Sequence, residues 1–201
     1  MTYTLKRYQT FQEYLNAEEL SEERNYRLLN TGEVIELATE SELNRIIMLA
    51  FILAIQKAKG SSFIRFICNG NKDLQVNPVG DKWVNRKPDI MVLTPAHLEA
   101  AEQAIFLGAP APAFVAEIVS PGGPSSDSYL RDYVWKREQY EWWQISEYWI
   151  IDPRRGQVSV LTLVDGAYQE TVYKGEDAIT SITFPKIDLT VSRLITGKID
   201  D

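Results

Sequence analysis

Two carboxylates stand in segments that are otherwise apolar, and they are the side chains best suited to chemistry. Asp89 follows Pro88 and opens the apolar run 90–93, and Glu117 lies inside the run 113–119. A carboxylate buried alone costs several kcal/mol or loses its charge, so two of them on buried strands predict a shared partner. The partner that suits paired oxygen donors is a hard divalent cation, Mg²⁺, with Mn²⁺ as a substitute. Mg²⁺ also binds phosphate and serves phosphoryl transfer and hydrolysis.

The segment after Glu117 predicts a helix that brings a lysine to these carboxylates. Asp132, Lys136 and Tyr140 stand four residues apart and therefore share one helix face. From that face Lys136 can lean over the strand ends, where an ammonium orients or deprotonates a water, or stabilises charge on a phosphate. Asp132 and Tyr140 are auxiliary candidates, with core packing as the alternative for Tyr140. Glu36, on a predicted hairpin, is a further auxiliary candidate.

Basic and aromatic side chains around the same helix are candidates for contact with nucleic acid. Four arginines would supply a local positive patch: Arg131, Arg137, Arg154 and Arg155. The tryptophans of this region either stack on bases or, in the preferred interpretation, pack in the core or in a dimer interface: Trp135, Trp142 and Trp143.

Hydrophobic periodicity predicts the elements that must position these residues, and together they indicate an α/β (α+β) fold with a mixed central sheet flanked by helices. Helices are predicted over about 10–20 with Thr10 as cap, from Thr39 or Ser41 to Gly60, and from Asp127 or Ser128 to about Trp143. Strands are predicted at 63–68, 74–76, 83–84, 89–93, 113–119 and 148–151, with hairpins at 26–37 and 158–173. The segment 121–126 is predicted to be a loop, and 184–195 a short strand or loop followed by a helical turn.

Composition limits the chemistry that remains. With 21 basic and 28 acidic residues the net charge is −7, which disfavours a protein that coats nucleic acid by bulk charge but allows a local basic patch. One cysteine and one histidine exclude an internal disulfide, multi-cysteine metal sites and the usual histidine-containing catalytic triads. The histidine, His97, is interpreted as a surface residue. No apolar run is long enough to span a bilayer, so we expect a cytoplasmic protein without membrane contact.

The ordered set of residues resembles the family named putative restriction endonuclease, within the PD-(D/E)-x-K nuclease superfamily. The resemblance rests on Pro88-Asp89, on Glu117-Ile118-Val119-Ser120, on Asp132, Lys136 and Tyr140, and on the run 147–152, Glu-Tyr-Trp-Ile-Ile-Asp. It covers about residues 26–189 and implies a restriction-endonuclease-like core, at about 26–152 of a single domain 1–201. It also implies that Asp89, Glu117 and the backbone carbonyl of Ile118 bind Mg²⁺.

The chain departs from the family pattern at three places. The superfamily lysine normally sits two residues after the glutamate, where this chain has Val119, so its role passes to Lys136. Arg27 stands where many members have a glutamate, and Leu43 or Asn44 where many have a histidine. The last two departures concern an auxiliary contact to metal or substrate. The central trio of Asp89, Glu117 and Lys136 is present.

Two functions follow as hypotheses. The first is a Mg²⁺-dependent DNA endonuclease that hydrolyses phosphodiesters by attack of a metal-activated water, works as a homodimer and needs no organic cofactor. The second is a non-catalytic DNA- or protein-binding module that keeps the nuclease fold. In the second, Asp89 is a strand-end carboxylate paired with Arg86, and Glu117 and Lys136 form a buried ion pair.

Overall fold

The computed structural model describes residues 7–20, 25–37, 41–80, 82–120 and 126–198. The predicted cap Thr39 and most of the predicted loop 121–126 lie outside these ranges. The helices are α1 (Phe11–Leu15), α2 (Glu42–Lys59), α3 (Pro95–Ala100), α4 (Asp127–Leu130), α5 (Lys136–Trp142) and α6 (Val191–Thr196), with a 3₁₀ helix at Ser61–Phe66 and a π-helical turn at Arg131–Trp135. The strands are β1 (Asn25–Leu28), β2 (Val34–Leu37), β3 (Ile67–Cys68), β4 (Asp73–Gln75), β5 (Asn85–Arg86), β6 (Ile90–Val92), β7 (Ala104–Ile105), β8 (Phe114–Ile118), β9 (Glu147–Asp152), β10 (Gln157–Val164) and β11 (Ala167–Lys174).

A mixed sheet forms the centre of the fold. Within the described ranges its strand order is β11-β10-β9-β8-β6-β3, in which β8 and β9 run parallel and the other neighbours antiparallel. The predicted second hairpin is confirmed as β10 and β11, and it extends this sheet. A smaller sheet of order β5-β4-β7 and the β1–β2 hairpin lie outside it.

Helical layers cover both faces of the sheet, and successive side chains of β8 point to one layer and then the other. Phe114, Ala116 and Ile118 belong to the hydrophobic cluster that contains α2, where Phe51 stacks on Trp149 with ring centroids 4.7 Å apart. The side chains between them face the other layer, since Val115 and Val119 pack in the cluster that contains Tyr140 and Tyr148. Glu117 therefore faces the layer that contains α5.

The long helix α2 begins and ends where its sequence predicts. Ser41 caps it by accepting a hydrogen bond from the Asn44 N–H, and Gly60 follows it with a φ of 89°. No helix in the described ranges combines the length and the apolarity that crossing a bilayer requires.

Four local predictions are wrong. The strand expected at 83–84 lies at Asn85–Arg86, and Trp83 forms only an isolated bridge with Leu29. Residues 63–68 were expected to be a strand, but Ser61–Phe66 is a 3₁₀ helix and only Ile67–Cys68 is extended. In a 3₁₀ helix residues three apart share a side, which lets Phe63 and Phe66 both pack on the core. Helix α1 stops at Leu15 rather than near residue 20. His97 is buried, and its Nδ1 accepts from the Thr94 N–H at the start of α3.

Candidate active site

Asp89 and Glu117 lie side by side at the junction of two neighbouring strands. Ile90 on β6 is paired with Ala116 on β8, so one further step along this antiparallel register places Asp89 opposite Glu117. Oδ2 of Asp89 accepts a 2.6 Å hydrogen bond from the backbone N–H of Ile118. Glu117 is only 2% exposed. The two carboxylates that the sequence singled out thus meet on one face of the sheet.

Lys136 reaches these carboxylates from the helical layer. Its Nζ lies 2.9 Å from Oε2 of Glu117 and 2.8 Å from Oδ1 of Asp132. Asp132 is buried, and its Oδ2 accepts a hydrogen bond from the Ser120 N–H at 3.1 Å. The lysine side chain is largely buried and keeps 13% of its surface exposed.

A buried tyrosine completes this group, which we call the carboxylate–lysine cluster: Asp89, Glu117, Asp132, Lys136 and Tyr140. The Tyr140 hydroxyl donates a 2.5 Å hydrogen bond to Oε1 of Glu117. The Tyr148 hydroxyl, on β9, donates to the backbone carbonyl of Asp132 at 3.2 Å. Tyr140 is therefore both a core residue and a direct partner of Glu117, so the two interpretations of it were not exclusive.

Burial and charge act on the pKa values of this cluster. Burial raises the pKa of the Glu117 carboxyl, and the neighbouring charge of Asp89 raises it further, while Lys136 and Tyr140 oppose the shift. Burial would lower the pKa of Lys136, but Asp132, Glu117 and Asp89 together raise it above its ordinary value. The lysine is held as an ammonium ion by the carboxylates around it.

The donor set suits Mg²⁺ rather than a metal that needs a full protein cage. Among the described residues, no group of three or more His, Cys, Asp or Glu side chains has the arrangement of a metal site. Mg²⁺ commonly takes one or two carboxylates and keeps several waters. Each carboxylate oxygen has two lone pairs, so the hydrogen bonds to Glu117 and Asp89 still leave acceptor positions for a cation. The pair Asp89 and Glu117 therefore fits such an ion.

In the described part of the chain, the other predicted contact residues have partners other than the carboxylate groups of Asp89 and Glu117. The Arg131 guanidinium stacks over the Trp83 ring, 4.7 Å from its centroid. Arg137 points to β11, where it contacts the Tyr168 carbonyl at 3.3 Å and Glu170 at 3.4 Å. Glu36 is exposed on β2, opposite Tyr26 of β1.

The tryptophans of this region divide between core and surface. Trp143 is buried and donates from Nε1 to the Gln75 carbonyl. Trp135 covers Gly80 so closely that a Cβ at that glycine would lie 2.2 Å from Nε1 of the indole. Trp142 is 53% exposed. Core packing thus describes Trp143 better than base stacking does, while Trp135 is partly buried against Gly80.

Two of the departures from the family pattern have clear structural positions. Arg27 is 5% exposed, and its guanidinium donates to Asn25 Oδ1 and to the Tyr26 carbonyl. On α2, Leu43 is 47% exposed whereas Asn44 is buried near the start of the helix.

A network that the sequence pattern did not predict lies next to the cluster, centred on Asp152. This buried carboxylate accepts from the Tyr133 hydroxyl at 2.7 Å and lies 3.7 Å from Nε of Arg155. Its other oxygen accepts the backbone N–H groups of Arg154 and Arg155, each at 3.0 Å. An aspartate directly before Pro153 at the end of a buried strand is the signal from which this turn could have been found.

Comparisons with known proteins agree with this arrangement. A family profile, Uma2, described as putative restriction endonuclease, matches residues 11–192. No curated protein gives a significant match. Among solved structures, the chain is similar to one from Anabaena variabilis ATCC 29413 described as a putative nuclease belonging to DUF820, with a TM-score of 0.63 and 16% identity over 92% of this chain and 97% of that one. At that identity the likeness concerns the fold, and it confirms the predicted mixed sheet with flanking helices. Because the profile spans most of the sequence, this chain belongs to the Uma2 family of putative restriction endonucleases, within the PD-(D/E)-x-K superfamily.

Proposed function

We propose that the protein is a Mg²⁺-dependent endonuclease that hydrolyses phosphodiester bonds in DNA. The observation that carries the proposal is the position of Lys136, whose ammonium lies 2.9 Å from Glu117 on the face that Asp89 shares. Paired carboxylates beside a cation suit hydrolysis of a phosphodiester, since the reaction brings an anionic substrate and a nucleophilic water to one place. Membership in a nuclease family supports the same reaction class.

Asp89, Glu117 and the backbone carbonyl of Ile118 would hold the cation. Bound Mg²⁺ would lower the pKa of a coordinated water and neutralise charge on the phosphate. In the reaction the water oxygen forms a bond to phosphorus as the bond to the leaving oxygen breaks, which yields a phosphate monoester and a hydroxyl. The Ile118 N–H would meanwhile hold Asp89 in place through its 2.6 Å hydrogen bond.

Lys136 supplies the protein's own positive charge at the reacting phosphate. The lysine is anchored by Asp132 at 2.8 Å, and its ammonium would also contact a substrate oxygen. Tyr140 fixes the rotamer of Glu117 by its hydrogen bond to Oε1. Asp132 and Tyr140 are accordingly positioning residues, while Asp89, Glu117 and Lys136 touch substrate or cation.

The test is cleavage of plasmid and linear DNA with Mg²⁺ or Mn²⁺, together with calorimetric titration of each ion. Asp89→Asn and Glu117→Gln keep side-chain shape, and we expect both to abolish cleavage and ion binding while circular dichroism stays unchanged. Glu99→Gln, an exposed carboxylate on α3, is the matched control and should behave as wild type. Full cleavage by folded Asp89→Asn or Glu117→Gln protein would refute the proposal.

A non-catalytic binding module is the second candidate function, and one specific observation favours it. Both oxygens of Glu117 already have protein partners, Lys136 and Tyr140, as a purely structural buried ion pair would. Under this alternative Glu117→Gln should lower the free energy of unfolding by ~3 kcal/mol, and the wild-type protein should bind no divalent cation. The calorimetric titration therefore separates the two candidates.

We also propose that the chain is one domain that acts in the cytoplasm as a homodimer. Cutting both strands of a duplex is most simply done by two sites related by two-fold symmetry. Light scattering at working concentration should give twice the mass of the chain. A monomer that cleaves both strands would remove the dimer from the proposal.

A further inference from the structure

A cluster of aromatic and cationic side chains lies beside the carboxylate–lysine cluster, and we call it the tyrosine–arginine platform: Tyr129, Tyr133 and Arg155, with Asp152 beneath them. We propose that this platform binds a single-stranded segment of DNA, with a base against the tyrosine rings and a phosphate on the Arg155 guanidinium. The inference rests on the proposed function, because it names the form in which substrate reaches the same site.

The platform is a short aromatic stack beside a guanidinium, and a base would extend this stack. The rings of Tyr129 and Tyr133 are stacked, with centroids 4.5 Å apart and an interplanar angle of 21°. The Arg155 guanidinium carbon lies 4.8 Å from one centroid and 5.1 Å from the other. Both rings are half-buried and Arg155 is exposed. Proteins that bind single strands combine aromatic faces for bases with cations for the backbone in this way.

Asp152 holds the platform in place before any ligand arrives. Its Oδ2 accepts from the Tyr133 hydroxyl and lies within ion-pair distance of Arg155, and its Oδ1 closes the turn through two backbone N–H groups. A buried carboxylate that fixes both a ring and a guanidinium lowers the entropy that binding would otherwise cost.

The platform and the catalytic cluster are continuous along the chain and across the sheet. Ile118 on β8 is paired with Ile151 on β9 in parallel register, so Asp152 lies one step beyond that pair, on the face that Glu117 shares. On the helical layer, Asp132 contacts Lys136 while the next residue, Tyr133, contacts Asp152. A single DNA strand bound on the platform would therefore lie next to the carboxylates.

The charge of the protein makes such a local contact necessary. The chain carries a net charge of −7 and repels a polyanion as a whole. Arg154 and Arg155 are both exposed at the turn after β9, next to the cluster of carboxylates. They provide positive charge at the place where the phosphate backbone must approach.

The test is fluorescence anisotropy with a fluorescein-labelled single-stranded oligodeoxynucleotide of about 12 nucleotides in EDTA, where a metal-dependent nuclease cannot cut. We expect Arg155→Ala and Tyr129→Leu each to weaken binding about tenfold, and Tyr129→Phe to bind as wild type because it keeps the ring. Arg155→Ala should also reduce the slope of log K against log salt by about one. Arg45→Ala, an exposed ion-paired arginine on α2 across the sheet, is the matched control and should bind unchanged.

Each result bears on the proposal. Equal affinities for wild type, Arg155→Ala and Tyr129→Leu, or no binding of the oligonucleotide by the wild-type protein, would overturn the platform. Binding that depends on the platform without Mg²⁺-dependent cleavage would support the platform and reject the nuclease. Cleavage that depends on Glu117, with oligonucleotide affinities that the platform variants leave unchanged, would support the nuclease and reject the platform.

Discussion

The ammonium of Lys136 lies 2.9 Å from Oε2 of Glu117, although one residue comes from a helix and the other from the strand beneath it. The superfamily places its lysine two residues after the glutamate, where Val119 packs in the core of this protein. The helix thus brings the missing cation to the same carboxylate from another element. The distance from lysine to carboxylate then depends on how the helix sits on the sheet, and not on the strand alone.

Removing the Lys136 ammonium should reduce both the cleavage rate and the free energy of unfolding. Lys136→Met keeps the length of the stem, and we expect it to reduce cleavage at least ~100-fold, because no other described contact supplies a cation to Glu117 Oε2. It should also lower the free energy of unfolding by about 3 kcal/mol, since Asp132 and Glu117 lose their shared partner. Urea unfolding and single-turnover cleavage measure the two effects. Near-wild-type cleavage by Lys136→Met would exclude Lys136 from the reaction.

The hydroxyl of Tyr140 should stabilise the fold through Glu117. Tyr140→Phe removes a buried hydrogen bond to a carboxylate, and we expect a loss of ~1.5 to 3 kcal/mol in the free energy of unfolding. The control is Tyr173→Phe, whose hydroxyl contacts Thr180 near the surface and whose removal should cost under ~0.5 kcal/mol. The coupling between the two side chains would be refuted if Tyr140→Phe lowered the free energy of unfolding as much in Glu117→Gln protein as in wild type.

Glu147 should matter for stability and not for cleavage. It is fully buried on the side of the sheet that faces α2, and it accepts from Trp149 Nε1 at 2.7 Å, Ser181 Oγ at 3.0 Å and the Thr183 N–H at 2.7 Å. Glu147→Ala leaves these donors buried without an acceptor, so we expect a cost of ~3 kcal/mol or more.

Thermal and urea unfolding measure this cost, and the folded variant should cleave DNA at the wild-type rate. The exposed Glu170→Gln on β11 serves as control. A Glu147→Ala protein of normal stability but without activity would instead place this carboxylate in the catalytic machinery.

The turn between β1 and β2 should be intolerant of a side chain at Gly32. This glycine has a φ of 84°, and a Cβ there would lie 2.5 Å from the carbonyl oxygen of Tyr8. Gly32→Ala therefore combines backbone strain with a clash, and we expect a loss of about 2 to 3 kcal/mol in unfolding free energy. Gly70→Ala has a similar φ of 70° but open space around it, so it isolates the backbone part, about 1 kcal/mol. Equal costs at both glycines would mean that the Tyr8 contact adds nothing.

The sequence predicted the position of the cluster because burial and periodicity are local signals. An acid inside an apolar run marked Glu117, and spacing by four placed Asp132, Lys136 and Tyr140 on one face. The structure adds partners that no spacing reveals, since the Tyr140 hydroxyl reaches Glu117 across the gap between two layers. That contact depends on how helix and sheet pack, which is a tertiary property.

The wrong predictions also arise from tertiary packing, which local patterns do not contain. Residues 61–66 carry an aromatic pattern that suits either a strand or a 3₁₀ helix, and the choice is made by the core on which Phe63 and Phe66 rest. His97 was expected at the surface, but its ring is buried where it caps α3. The contact of Arg155 with Tyr129 and Tyr133 joins residues more than 20 positions apart, beyond the reach of any local pattern.

The π-helical turn at Arg131–Trp135 sets the rotational phase between the two halves of its helix. A π turn holds one more residue than an α turn, and one residue of an α-helix corresponds to ~100° of rotation. Deleting one residue from this turn would leave Lys136 and Tyr140 seated on the sheet while turning Tyr129 away from Arg155. The extra residue therefore allows one helix to contribute side chains to both the carboxylate–lysine cluster and the tyrosine–arginine platform. A relative without this residue could form only one of these two surfaces from the same segment.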